Sequence, residues 1–143
     1  MCQLEDAIAL ISFYYKNLIG HDGQPYIMHL LRVMLDVPKE LDYQITALLH
    51  DFTSKFDYSY ADIEKDYGNK VADAVKVLNE TNPDESYRSY IKRITNNNIA
   101  RIVKIADLKD EIRMLNKTNA TETEISQQKI YENALHILEG EKK

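Results

Sequence analysis

Four polar residues stand where the chain is otherwise apolar, and their types suit a metal ion. His29 lies within Ile27-Met28-His29-Leu30-Leu31, His50 and Asp51 end the run Ala47-Leu48-Leu49, and Asp107 interrupts Ile102-Val103-Lys104-Ile105-Ala106. Burying an ionised carboxylate without a partner is expensive, so each needs an explanation. A shared divalent cation supplies one, because imidazole nitrogens and carboxylate oxygens suit manganese, iron, cobalt, nickel or zinc. Coordination positions left open would take water and a substrate oxygen, bringing the pKa of that water toward neutrality. Singly, each residue has a plainer reading. His29 fits a hydrogen-bonded core histidine, Asp51 a solvated helix end, and Asp107 a partner for Lys104 three positions back. The plainer reading has to hold at each position separately, whereas a metal site explains all four at once.

Helices must position these residues. Leu4, Ala7, Ile8, Ile11, Tyr15 and Leu18 recur at helical spacing, which predicts a first helix stopping at Gly20. A tight Gly20-His-Asp-Gly23 loop follows, with Pro25 in the first turn of a second helix that turns Tyr26, His29, Leu30 and Val33 inward. A third helix runs from about Glu40 with Ile45, Leu48 and Leu49 as its stripe, and Thr53 to Tyr58 reads as a loop. Ser59 caps a short helix that Gly68 closes, and Asn69 is placed to cap the next, which buries Val71, Ala74, Val75 and Leu78. Ser86 starts another helix, ended by Asn96-Asn97-Asn98. Ile99, Ile102, Val103, Ala106 and Ile112 define a long helix to about Leu115. Thr121 and Glu124 form a capping box for the last, which buries Ile125, Ala134, Leu135 and Leu138. The expectation is an all-α fold, one multi-helix domain over residues 1–143, with the Asn116–Ala120 loop and the Glu141–Lys143 tail as mobile parts.

Composition narrows the function. A net charge of −5 argues against a general nucleic-acid binder, while leaving local basic residues for a phosphorylated small molecule. Cys2 is the single cysteine, so neither an internal disulfide nor a four-thiolate zinc site can form. That usage fits a reducing compartment. No apolar run approaches the ~20 residues of a membrane span. Glu5 and Asp6 near the start are unlike a signal peptide. The expected setting is cytoplasmic, away from membranes.

The order His, His-Asp, Asp on three helices is similar to that of the HD superfamily of metal-dependent phosphohydrolases. The chain resembles in particular the hydrolase domain of Rel/Spo-type enzymes, which remove pyrophosphate from the 3′ position of (p)ppGpp. The likeness rests on Gly23-Gln-Pro-Tyr-Ile-Met-His29-Leu-Leu-Arg-Val33, Ala47-Leu-Leu-His-Asp51, Tyr60-Ala-Asp-Ile-Glu-Lys-Asp-Tyr-Gly68 and Val103-Lys-Ile-Ala-Asp107, and it covers roughly residues 5 to 115. The resemblance implies His29, His50, Asp51 and Asp107 as metal ligands, manganese as the ion, and Asp51 among the catalytic groups. Arg32, Lys55, Lys104 and Arg113 are the cations available to substrate phosphate, and Tyr131 is a candidate aromatic for stacking.

The departures lie beside the metal. Rel-type hydrolases carry a Glu-Asp pair two residues after His-Asp, where this chain has Ser54 and Lys55. A hydroxyl and an ammonium replace the groups that activate water and invert the local charge, leaving Lys55 as the catalytic candidate there. The family's basic loop is Ile19-Gly20-His21 here, and its Asn four residues after the last ligand is Glu111. Three functions follow. One is a phosphohydrolase of a nucleotide or other small phosphorylated molecule, Rel/Spo-like with an altered substrate shell. Another is a module that binds metal and nucleotide without turnover. The third is a helical interaction protein whose His and Asp residues are structural.

Overall fold

The computed structural model describes residues 3–140. Cys2 and the Glu141–Lys143 tail lie outside the described residues. The chain forms α1 (Gln3–Tyr14), α2 (Tyr26–Leu35), α3 (Leu41–Leu49), α4 (Phe52–Lys55), α5 (Tyr60–Tyr67), α6 (Asn69–Asn79), α7 (Tyr87–Ile94), α8 (Asn98–Leu115) and α9 (Glu122–Leu138). The only extended pairing among the described residues is an isolated bridge between Ile19 and Pro25, which pins the loop ahead of α2.

Helices α3 and α6 lie at the centre because both of their faces are apolar. Ala47, Ala74 and Leu78 pack into one cluster with Val33, Ile91, Ile94 and Val103. Ile45, Leu48, Leu49, Val71 and Val75 pack into a second with Ala7, Ile11, Phe52 and Ile63. With α3 buried on both sides, its C-terminal end opens into the interior rather than into solvent. That places His50 and Asp51 at the junction of α2, α3 and α8.

The predicted caps form. Ser59 Oγ accepts from Asp62 N–H at 3.0 Å and Ser86 caps α7; Asn97, expected only to end the preceding helix, caps α8. Thr121 and Glu124 make the full capping box. Several boundaries differ from the sequence reading. The first helix ends at Tyr14, well before Gly20, because Asn17 takes a left-handed conformation (φ 71°). Tyr15 stays buried, but Leu18 faces outward. The Thr53–Tyr58 stretch is not all loop: its first part belongs to the single turn α4. Gly68, rather than Asn69, occupies the cap position of α6. Ile125, expected to be buried in the last helix, is 46% exposed near the start of α9.

Gly68 closes α5 and opens α6 at φ 96°, ψ 167°, a conformation costly for any residue with a Cβ. A Cβ there would meet no atom within 4 Å, so the penalty is confined to the backbone. Gly68→Ala is expected to lower stability by about 1–3 kcal/mol, read from the urea midpoint. An unchanged midpoint would show that the α5–α6 corner relaxes.

Candidate metal centre

His29 comes from the middle of α2, His50 from the C-cap of α3 and Asp107 from the middle of α8. All three are buried, with 1%, 5% and 4% exposure. His29 Nε2 lies 3.0 Å and His50 Nε2 3.2 Å from Asp107 Oδ1. One ligand atom from each of the three residues falls within 4.8 Å of the others. Donors held about 2.1 Å from a common ion, at right to tetrahedral angles, are about 3.0–3.4 Å apart, so these separations fit a shared cation. Ring orientation fits too. His50 Nδ1–H donates to the Ala47 carbonyl at 2.7 Å, which turns Nε2 toward the junction.

Asp51 caps α4 and lines the cavity above this cluster, about 290 Å³ in volume, together with His50, Asp107, Glu111, Lys104 and Tyr131. It is not among the three converging donors. Tyr15 Oη and Tyr26 Oη each donate to one of its carboxylate oxygens at 2.5 Å. Burial first and the Asp51 charge second push both phenols upward, so they stay protonated donors. Each Asp51 oxygen accepts one tyrosine hydrogen bond and keeps further lone-pair capacity.

The cationic candidates separate. Lys104 Nζ lies 3.0 Å from Asp107 Oδ2, on the face of the carboxylate away from the histidines. Burial opposes its charge, but Asp107 outweighs that and raises its pKa. Lys55 extends over the Tyr26 ring, 5.2 Å from its centroid, and lines a neighbouring cavity of about 350 Å³. Tyr26, Glu111 and Tyr131 border both cavities. Arg32 and Arg113 are engaged elsewhere. The Nε of each donates to Asp110 Oδ1, at 2.8 and 3.0 Å, and the Arg32 guanidinium is not among the residues lining either cavity. The Arg32 guanidinium, a candidate for substrate phosphate, is hydrogen-bonded to a carboxylate behind His29.

Sequence reasoning missed three contributors. Asp110 accepts from His29 Nδ1–H at 2.6 Å; its one signal is the i+3 spacing from Asp107. Tyr15 was read only as core, although its hydroxyl reaches Asp51. Asn79, at the end of α6, donates to the His50 carbonyl at 2.8 Å and accepts from Ser54 N–H at 3.0 Å. It thereby clasps the break between α3 and α4. A polar residue directly after Leu78 was its only trace.

The charges form one system. Burial works against the Asp107 carboxylate, but Lys104, His50 and His29 hold its pKa well below the usual range. Burial likewise opposes charge on His29, yet the hydrogen bonds to Asp107 and Asp110 push it up to about 10. Burial and the nearby Asp107 charge raise Glu111. A cation taken up at Nε2 must displace the proton of His29, so affinity is expected to rise with pH until about 10. Without metal the sign reverses. The raised pKa stabilises the fold fully below 6.5, and that contribution is lost as pH rises through about 10. Titrating manganese across this range checks the first trend, and thermal unfolding in chelator checks the second; a pH-independent affinity would contradict the displacement.

The fold and the site together describe an all-helical domain in which histidines from two helices and an aspartate from a third converge under a polar cavity. The chain has the fold of a solved structure described as a metazoan ortholog of SpoT that hydrolyzes ppGpp and plays a role in starvation responses, with a TM-score of 0.81. That likeness covers 96% of this chain and 85% of the other at 21% identity. In sequence the chain is 30% identical, over 103 residues, to guanosine-3′,5′-bis(diphosphate) 3′-pyrophosphohydrolase of Aquifex aeolicus (strain VF5). The match takes in 65% of this chain and spans only 15% of that relative's length. No family model matches. The resemblance to the Rel/Spo-type hydrolase domain thus extends from motifs to the whole helical fold.

Proposed function

We propose that the chain is a divalent-metal-dependent phosphohydrolase acting on a phosphorylated nucleotide, with residues 1–143 working as one HD-type domain. The observation that carries this reading is the convergence of His29, His50 and Asp107 donors within 4.8 Å beneath a cavity with polar walls. Asp51 is the proposed fourth ligand, reaching the ion with lone pairs that the two tyrosines leave free. Manganese is the ion the mixed nitrogen and oxygen set suits, as in the enzymes it resembles. A cation bound there supplies Lewis acidity toward a phosphoryl oxygen and acidifies water. Lys104 fixes the Asp107 carboxylate, Tyr26 and Tyr131 wall the substrate, and Lys55 at the rim offsets negative charge that develops on phosphate. Similarity to the bacterial and metazoan enzymes supports a guanosine 3′-diphosphate group as the first substrate to try. A cytoplasmic setting belongs to the same reading, and no helix is long and apolar enough to cross a membrane among the described residues.

One observation favours a second reading, in which metal and nucleotide bind without turnover. Ser54 Oγ donates to the Asp51 carbonyl at 2.8 Å, and Lys55 rests on Tyr26, so neither offers a base where related enzymes carry two carboxylates. Incubation with manganese and ppGpp distinguishes the two. Hydrolysis predicts metal-dependent release of pyrophosphate, absent from His50→Ala. Saturable nucleotide binding with no product, at high protein and manganese, would establish the binding module instead.

A further inference from the structure

The two histidines are anchored by one device with different acceptors. His50 uses Nδ1–H on a backbone carbonyl, that of Ala47, at 2.7 Å. His29 sits mid-helix, where its own helix's carbonyls are taken by backbone N–H groups, and it uses Nδ1–H on the Asp110 carboxylate at 2.6 Å. Each ring is thereby left with Nε2 toward Asp107, at 3.0 Å for His29 and 3.2 Å for His50. Asp110 is not loosely placed. Its Oδ1 accepts from Arg32 Nε at 2.8 Å and Arg113 Nε at 3.0 Å, and its Oδ2 also accepts from Arg32 Nη2 at 3.0 Å. Counting His29, the carboxylate accepts four hydrogen bonds, which fills its capacity and fixes its plane. Asp22, in the loop ahead of α2, lies 3.4 Å from both guanidinium groups and steadies them from the far side.

We infer that Asp110 is a positioning residue: held by Arg32 and Arg113, it fixes the ring of His29 so that Nε2 faces the metal site. It touches neither ion nor substrate and acts through His29 alone. The role explains why Arg32, one turn after His29 on the same face of α2, lines neither of these cavities. It also explains a second buried aspartate at i+3 from Asp107 on α8, which a ligand set alone does not require. Partners of this kind, behind a metal-bound histidine, commonly change metal affinity by 10–100-fold.

Two measurements on the full chain test the inference, and only one rests on the metal reading above. In metal-free protein with ¹⁵N-labelled histidine, the His29 Nδ1–H resonance is expected as a slowly exchanging, hydrogen-bonded signal. Asp110→Ala should remove it, whereas Asp110→Asn, which keeps an acceptor oxygen, should retain it. In a manganese titration, Asp110→Ala should weaken binding 10–100-fold and Asp110→Asn less. Arg32→Met should weaken it in the same direction but add little to Asp110→Ala, because both act on one ring. Circular dichroism checks the fold of each variant, and Asp110→Leu, which likewise lacks an acceptor, carries the test if Asp110→Ala does not fold. A folded Asp110→Ala or Asp110→Leu with the wild-type His29 signal and wild-type manganese affinity would overturn the role. A wild type that takes up no manganese would sink the functional reading, and the imidazole signal would still decide the role of Asp110.

Discussion

Asp107→Asn is expected to abolish metal-dependent hydrolysis, by about 10³-fold or more, and to destabilise the protein as well. Two effects are superimposed. The substitution removes the anion that faces both Nε2 atoms, at 3.0 and 3.2 Å. It also strips the half-buried Lys104 ammonium of its partner at 3.0 Å. Breaking a buried pair from one side costs about 3–5 kcal/mol, whereas replacing both partners together is often nearly neutral. Asp107→Asn with Lys104→Met should therefore regain much of the lost stability and none of the activity. Thermal unfolding beside pyrophosphate release separates the two. Activity that returns with stability in the double variant would show that Asp107 serves the fold rather than the metal.

The second large effect is a gain. Ser54→Glu with Lys55→Asp is expected to raise the hydrolysis rate about 10²–10⁴-fold, the range for a positioned general base. Geometry favours it, because Ser54 lines the cavity over the candidate metal site with His50 and Asp107, and Lys55 lines the adjoining one. The backbone of α4 is held for the purpose by Asn79, which accepts from Ser54 N–H at 3.0 Å. Steady-state rates with ppGpp and manganese read the result. A folded, metal-loaded variant no faster than wild type would mean that the present pair is not what limits turnover on this substrate.

What was legible in the sequence follows from where the information lies. His29, His50 and Asp107 stood out because each interrupts an apolar stripe, a local contrast that burial makes costly. The caps at Ser59, Ser86 and Thr121 were legible because their partners lie three residues away. α4 was not, since a helix of 4 residues is too short to show a period. The fate of Arg32 was equally hidden. Its partner Asp110 lies 78 positions along the chain, and only the packing of α2 against α8 brings the two together behind His29. Tyr15 and Tyr26 look like core aromatics until their hydroxyls meet the same carboxylate. Local contrast thus marked the donors of the candidate metal centre, and tertiary packing supplied the groups that hold them.

The proposed function requires these donors to bind one divalent ion. Calorimetric titration of manganese into the metal-stripped wild type, beside His50→Ala, addresses it directly. One ion per chain is expected in the wild type and at least about a 100-fold loss of affinity in the variant, with both proteins folded. Equal binding by the two, or no saturable binding by the wild type, would contradict it.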